Sequence, residues 1–149
     1  MTVQVKELFE DKEIMMRKLK KKTYEQNMGT FREKKESILI SLLKEIEESQ
    51  NPQEKAKEIG IDFCNQVKEA FQNKRGRISG NTQIDLNYFM IYYIFPAILL
   101  TEYESKKILC DAIKDTWAKT FKESNIGYTT YEEIYEGFRI KIFGIPIGE

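Results

Sequence analysis

The stretch Leu86-Asn87-Tyr88-Phe89-Met90-Ile91-Tyr92-Tyr93-Ile94-Phe95-Pro96-Ala97-Ile98-Leu99-Leu100 decides the fold. Thirteen of its 15 residues are hydrophobic and five are aromatic, with only Asn87 and Pro96 interrupting. As a helix it would span about 22 Å, short of the roughly 30 Å hydrocarbon core of a bilayer. A helix that is apolar on every side, yet too short for a membrane, belongs where neighbouring helices cover it all round. Leu86–Leu100 is therefore predicted to be the central helix of a bundle. Pro96 should kink or divide it, since its ring removes one helix hydrogen bond and collides with the preceding turn.

Working outward, the flanking sequence supplies the covering helices. Five N-terminal capping signals recur: Thr30-x-x-Glu33, Asn51-Pro52-Gln53-Glu54, Thr82-x-x-Asp85, Thr101-x-x-Glu104, and Thr129/Thr130 with Glu132/Glu133. In each, an acceptor side chain can meet backbone N–H groups that the first turn leaves open, and an acidic group sits favourably near them. Apolar stripes at helical spacing follow. They are Phe31, Ile38, Leu39, Leu42, Leu43 and Ile46, then Ala56, Ile59, Phe63, Val67, Ala70 and Phe71, then Ile108, Leu109, Ala112, Ile113, Thr116, Trp117 and Phe121, then Tyr131, Ile134, Tyr135 and Phe138. A charged N-terminal segment, about Val3 to Gln26, is predicted as a long outer helix. The fold class is all-α, one domain over residues 1–149, with about six helices around Leu86–Leu100. One departure is open at the ends, where Val3 and Val5, and Phe138, Ile140 and Ile142, alternate with polar residues and could pair as short strands.

Composition narrows the chemistry. The chain has 149 residues and 41% hydrophobic and 32% charged content, which suits one folded domain rather than a disordered chain. It contains no histidine, so neither Ser-His-Asp nor Cys-His catalysis can be assembled from this chain alone. Histidine-dependent zinc sites go with them. The two cysteines, Cys64 and Cys110, lie far apart, so a Cys-x-x-Cys redox pair is also excluded. Each borders an apolar stripe and is expected to be an inert, buried thiol. Two cysteines over this length suit a reducing compartment, and Met1–Glu7 lacks a signal-peptide apolar region, so a cytoplasmic protein is expected.

The charges balance at 24 basic and 24 acidic, giving no overall attraction for nucleic acid or an anionic membrane. The run Arg17-Lys18-Leu19-Lys20-Lys21-Lys22 reads as a solvated helix face, and Lys74–Gly80 fails the spacing of a phosphate-binding loop. Asp111 and Asp115 share a helix face at i, i+4, as do Glu132 and Glu136. Were those faces to meet, the carboxylates could hold a hard cation, although polar positions opposite a core stripe recur at the same spacing. No metal or cofactor is expected.

The aromatic set is the most distinctive feature, and Tyr88, Tyr92, Tyr93, Trp117, Tyr131 and Tyr135 are the candidate ligand-binding residues. Tyrosine hydroxyls within apolar walls suit both a plain aromatic core and a small-molecule pocket.

Three functional readings follow. The first is a non-catalytic interaction or regulatory module, self-associating as a homodimer or engaging a protein partner through surplus apolar surface on the outer helices. The second is a helical domain that binds a small hydrophobic or aromatic ligand in a tyrosine-rich pocket. A cavity above roughly 300 Å³ would favour it. The third is an enzyme using carboxylate, lysine or tyrosine acid–base chemistry. The tail from Ile142 to Glu149 is apolar around Gly144 and Pro146 and is expected to dock on its own bundle or on a partner.

Overall fold

A computed structural model describes residues 5–10, 24–71, 86–87, 89–99, 101–121 and 131–139, and the side chains of all of these but 24–34, 92 and 121. The architecture is all-α, with no strand among the described residues. A 3-10 turn, Val5–Phe9, is followed by α1 (Tyr24–Glu48) and α2 (Pro52–Phe71). The central segment is a π-helical turn, Met90–Ile94, running directly into α3 (Phe95–Leu99). Then come α4 (Ser105–Phe121) and α5 (Tyr131–Phe138). All contribute to one contiguous apolar core.

Most of the described residues of the central segment are buried, as its composition requires. Phe89, Met90, Tyr93, Ile94, Phe95 and Ile98 are each no more than 1% exposed. Ahead of Pro96 the helix takes up a π-helical turn and continues directly into α3. The Phe95 N–H donates to the Met90 carbonyl, five residues back, immediately before the proline. Widening the helix at this point relieves the clash that a proline ring makes with the turn before it. The end of α3 is then tied off twice. Thr101 donates from its hydroxyl to the Ile98 carbonyl (2.8 Å), and the Lys106 ammonium donates to the carbonyls of Leu99 (3.3 Å) and Thr101 (2.9 Å). These are carbonyls that a helix C-terminus leaves without partners.

The capping signals divide. Asn51 behaves as read: its Oδ1 accepts from the Glu54 N–H at 3.2 Å, and Pro52 opens α2. Thr30 does not start a helix, because α1 begins six residues earlier at Tyr24 and carries Thr30 in its interior. Thr101 closes α3 instead of opening α4, which starts at Ser105. That helix takes its N-terminal acceptor from a distant element, since the Ser105 N–H donates to Glu47 Oε1 of α1 at 3.3 Å. The buried Ser105 hydroxyl donates to the Leu43 carbonyl at 3.0 Å, so α1 and α4 are joined where apolar packing alone would leave polar groups unmet. Thr82 and Thr129/Thr130 lie outside the described residues.

The N-terminal segment also differs from its reading. Val5–Phe9 is a 3-10 turn rather than the start of a long outer α-helix, and Val5, Leu8 and Phe9 are buried in the core. Phe9 packs on Phe63 and Phe89 at ring separations of 5.6 and 5.5 Å. The turn's polar backbone is met by the largely buried Lys35, whose ammonium donates to the Glu7 carbonyl at 2.6 Å. The strand pairing left open at the termini is overturned at Val5 and Phe138, which are both helical. A strand there would have removed Phe138 from a face where it is fully buried.

Among the described residues α2 and α4 pack against each other most extensively, and Gly60 lets their backbones come close. A Cβ at Gly60 would stand 3.0 Å from the Ala112 carbonyl carbon and 3.1 Å from both its Cβ and its oxygen. Only a residue without a side chain lets the two backbones approach this far.

Candidate functional site

α4 and α5 do not close fully on each other. Between them, at the end of α3, lies a cleft of about 470 Å³ whose lining is mostly apolar. Leu99, Cys110, Tyr131 and Tyr135 supply its apolar and aromatic surface. Lys106, Lys107, Asp111 and Lys114 of α4 and Glu132 and Glu136 of α5 supply its charged lining, three groups of each sign. Periodicity explains the arrangement: Tyr131, Ile134 and Phe138 point inward from α5, while Tyr135, one step round, is only half-buried.

The cleft stands on a packed aromatic base. Tyr131 and Tyr135 are parallel within 5° at a ring separation of 6.3 Å. Phe95 meets both edge-on at 5.4 and 5.5 Å, and Trp117 meets Tyr131 edge-on at 6.2 Å. Such contacts fix ring orientation as well as burying area. Trp117 is 1% exposed and lies behind the cleft rather than in it.

The sequence candidates therefore separate. Tyr131 and Tyr135 line the cleft, Trp117 supports it, and Tyr93 is buried elsewhere against Phe89 at 5.8 Å. Tyr88 and the Tyr92 side chain lie outside the described residues. Asp111, Glu132 and Glu136 reach the same cleft, whereas Asp115 faces a neighbouring groove with Gln53 and Lys57. Among the described residues no group of three or more acidic or cysteine side chains gathers closely enough to hold a metal ion. The sequence reading missed Lys106. It also left Glu136 as one of four carboxylates without distinguishing it. The signal for Lys106 was its place just after the break at Thr101, where a cation can meet helix-end carbonyls.

Two titratable groups of the cleft floor, Cys110 and Tyr131, are held in their neutral forms. Burial pushes the Cys110 thiol up to about 12, opposed by its hydrogen bond with Tyr131. The Tyr131 phenol is raised well above its ordinary value, first by burial and then by Cys110 beside it. Cys64, which donates to the Ile113 carbonyl at 3.7 Å, is also pushed by burial to about 12. A thiol is nucleophilic as its thiolate, so neither cysteine is activated.

The described residues thus form an all-α fold with a mostly apolar cleft between α4 and α5, lined in part by Tyr131 and Tyr135. No family model matches the chain, and no curated protein and no solved structure is significantly similar to it.

Proposed function

We propose that the protein is a non-catalytic helical binding domain whose cleft between α4 and α5 takes a small, partly apolar ligand. The observation that carries this reading is the cleft itself. Its volume of about 470 Å³ and mostly apolar lining, with charged groups at the rim, are the make-up of a small-molecule site. Two other grooves, each of about 530 Å³, have more evenly mixed linings and no stacked ring pair.

The interaction-module reading rested on surplus apolar stripes, and the described part of α1 offers little surplus. Leu39, Leu42, Leu43 and Ile46 are all buried in the common core. Ile61, at 41%, is the exposed large hydrophobic residue among the described residues. The polybasic run and the apolar tail, where a partner surface was also expected, lie outside the described residues.

The reading is tested by titrating a small set of water-soluble aromatic fragments into the native protein and into Tyr135→Ala, with binding followed by calorimetry. Tyr135 is half-buried at the rim, so its truncation should leave the fold intact while removing part of the floor. Fragments that bind the native protein should lose most of their affinity for the variant. Equal binding by both would refute the cleft as the site.

A further inference from the structure

Resting on that reading of the cleft, the state of its polar groups specifies the kind of ligand it takes. The two half-buried charges of the lining are both committed to the protein itself. Lys106 donates to the carbonyls of Leu99 and Thr101, and Glu136 accepts from Arg139 at 2.9 Å. The other four, Lys107, Lys114, Asp111 and Glu132, are exposed, two of each sign. Charges in water are screened, and balanced signs leave no net field to draw in an anion or a cation. The floor offers a charged ligand nothing either. Cys110 and Tyr131 are buried, hydrogen-bonded to each other and neutral, and Leu99 and the half-buried Tyr135 ring present carbon. A charged group moved there would give up its hydration with no partner in exchange.

We infer that the cleft takes an uncharged ligand with an apolar ring body, packed on Leu99 and the Tyr135 ring and held by burial of carbon surface without an ion pair. Tyr131 lies parallel to Tyr135 within 5° at 6.3 Å, and Phe95 meets both edge-on, so the surface that receives the ligand is set before it arrives. The volume of about 470 Å³ has room for a two-ring body. An uncharged polar end, such as a hydroxyl, lies at the rim, where the exposed charged groups keep the mouth of the cleft wet. The affinity comes from carbon covered on both partners.

The test uses four ligands that share a two-ring body and differ in charge: naphthylmethanol, naphthylmethylamine, naphthoate and the zwitterion naphthylalanine. Each is titrated into the native chain at neutral pH while amide resonances are followed by NMR. The alcohol should bind at least about tenfold more tightly than any of the other three, since a charge held against carbon without a partner costs that much or more. Resonances of Cys110, Tyr131 and Tyr135 should move. The affinity of the alcohol should not fall as salt is raised, because no ion pair holds it. If an ion or the zwitterion matches the alcohol, or if salt weakens the alcohol, the inference of an uncharged ligand is overturned and the cleft reading stands. If none of the four moves the cleft resonances, the cleft reading falls and takes this inference with it.

Discussion

Gly60→Ala sets two effects of opposite sign against each other. In an open helix the change should stabilise, because alanine exceeds glycine in helix propensity by about 1 kcal/mol. At this position the new methyl meets three Ala112 atoms at 3.0–3.1 Å, and two of them, the carbonyl carbon and oxygen, are backbone. Favourable carbon–carbon contact lies near 3.5–4.0 Å, so α4 must retreat by a few tenths of an ångström and loosen its other contacts with α2. Overpacking of this kind costs about 1–3 kcal/mol. The cost should outweigh the propensity gain, leaving a net loss of about 1 kcal/mol. Urea unfolding followed by circular dichroism should show a lower midpoint with an unchanged slope, and the melting temperature should fall by about 2–4 °C. Adding Ala112→Gly should recover only part of the contact cost, since the backbone contacts remain. A rise in the urea midpoint for Gly60→Ala would refute the close approach of α2 and α4.

Truncating Trp117 to alanine removes the support behind Tyr131 and should cost about 3–5 kcal/mol, read from the shift in denaturation midpoint. Asn51→Ala removes the acceptor for the Glu54 N–H and should cost about 1 kcal/mol, as should Ser105→Ala, which breaks the link to the Leu43 carbonyl. With both thiols held near 12, neither cysteine of the folded protein should react with a thiol-specific disulfide reagent at pH 8, whereas both should react in urea. The same shifts set the alkaline limit. The unfolded thiols lose their protons from about pH 9 and the folded ones only near 12, so above pH 9 the unfolded state binds fewer protons. The melting temperature should therefore hold steady below pH 9 and fall between 9 and 12. Burial of Tyr93, raised from 10 to about 12, adds to the fall over the upper part of that window.

The reasons why some of this was legible in the sequence and some was not are physical. α2 was readable from Asn51 to Phe71 because its cap, first-turn proline and apolar stripe are all local. The Thr30 signal misled because a capping tetrapeptide also occurs inside a longer helix, where the next turn of backbone already meets the N–H groups. Thr101 misled because the acceptor that α4 uses comes from Glu47, remote in sequence. Helical spacing puts Phe89 and Tyr93 on one face of Leu86–Leu100 and Phe95 on another, and Tyr93 does pack on Phe89 while Phe95 meets Tyr131 and Tyr135. The π-helical turn at Met90–Ile94 was not legible, because no local residue pattern marks it apart from the proline that follows. Tyr131 and Tyr135 were found because they sit one turn apart on one short helix. Their partner wall on α4 was not, because the pairing of two helices is not encoded in the period of either.

Whether the cleft between α4 and α5 is the ligand site can be read from where bound fragments lie. A chemically varied fragment library screened against the labelled protein by amide NMR would map this without presuming a ligand class. Hits should cluster on Leu99, Cys110, Tyr131 and Tyr135, with Glu136 at the edge of the perturbed surface. Hits gathering instead in the groove lined by Glu47, Glu102 and Tyr103, or in that between Lys57 and Asp115, would contradict it.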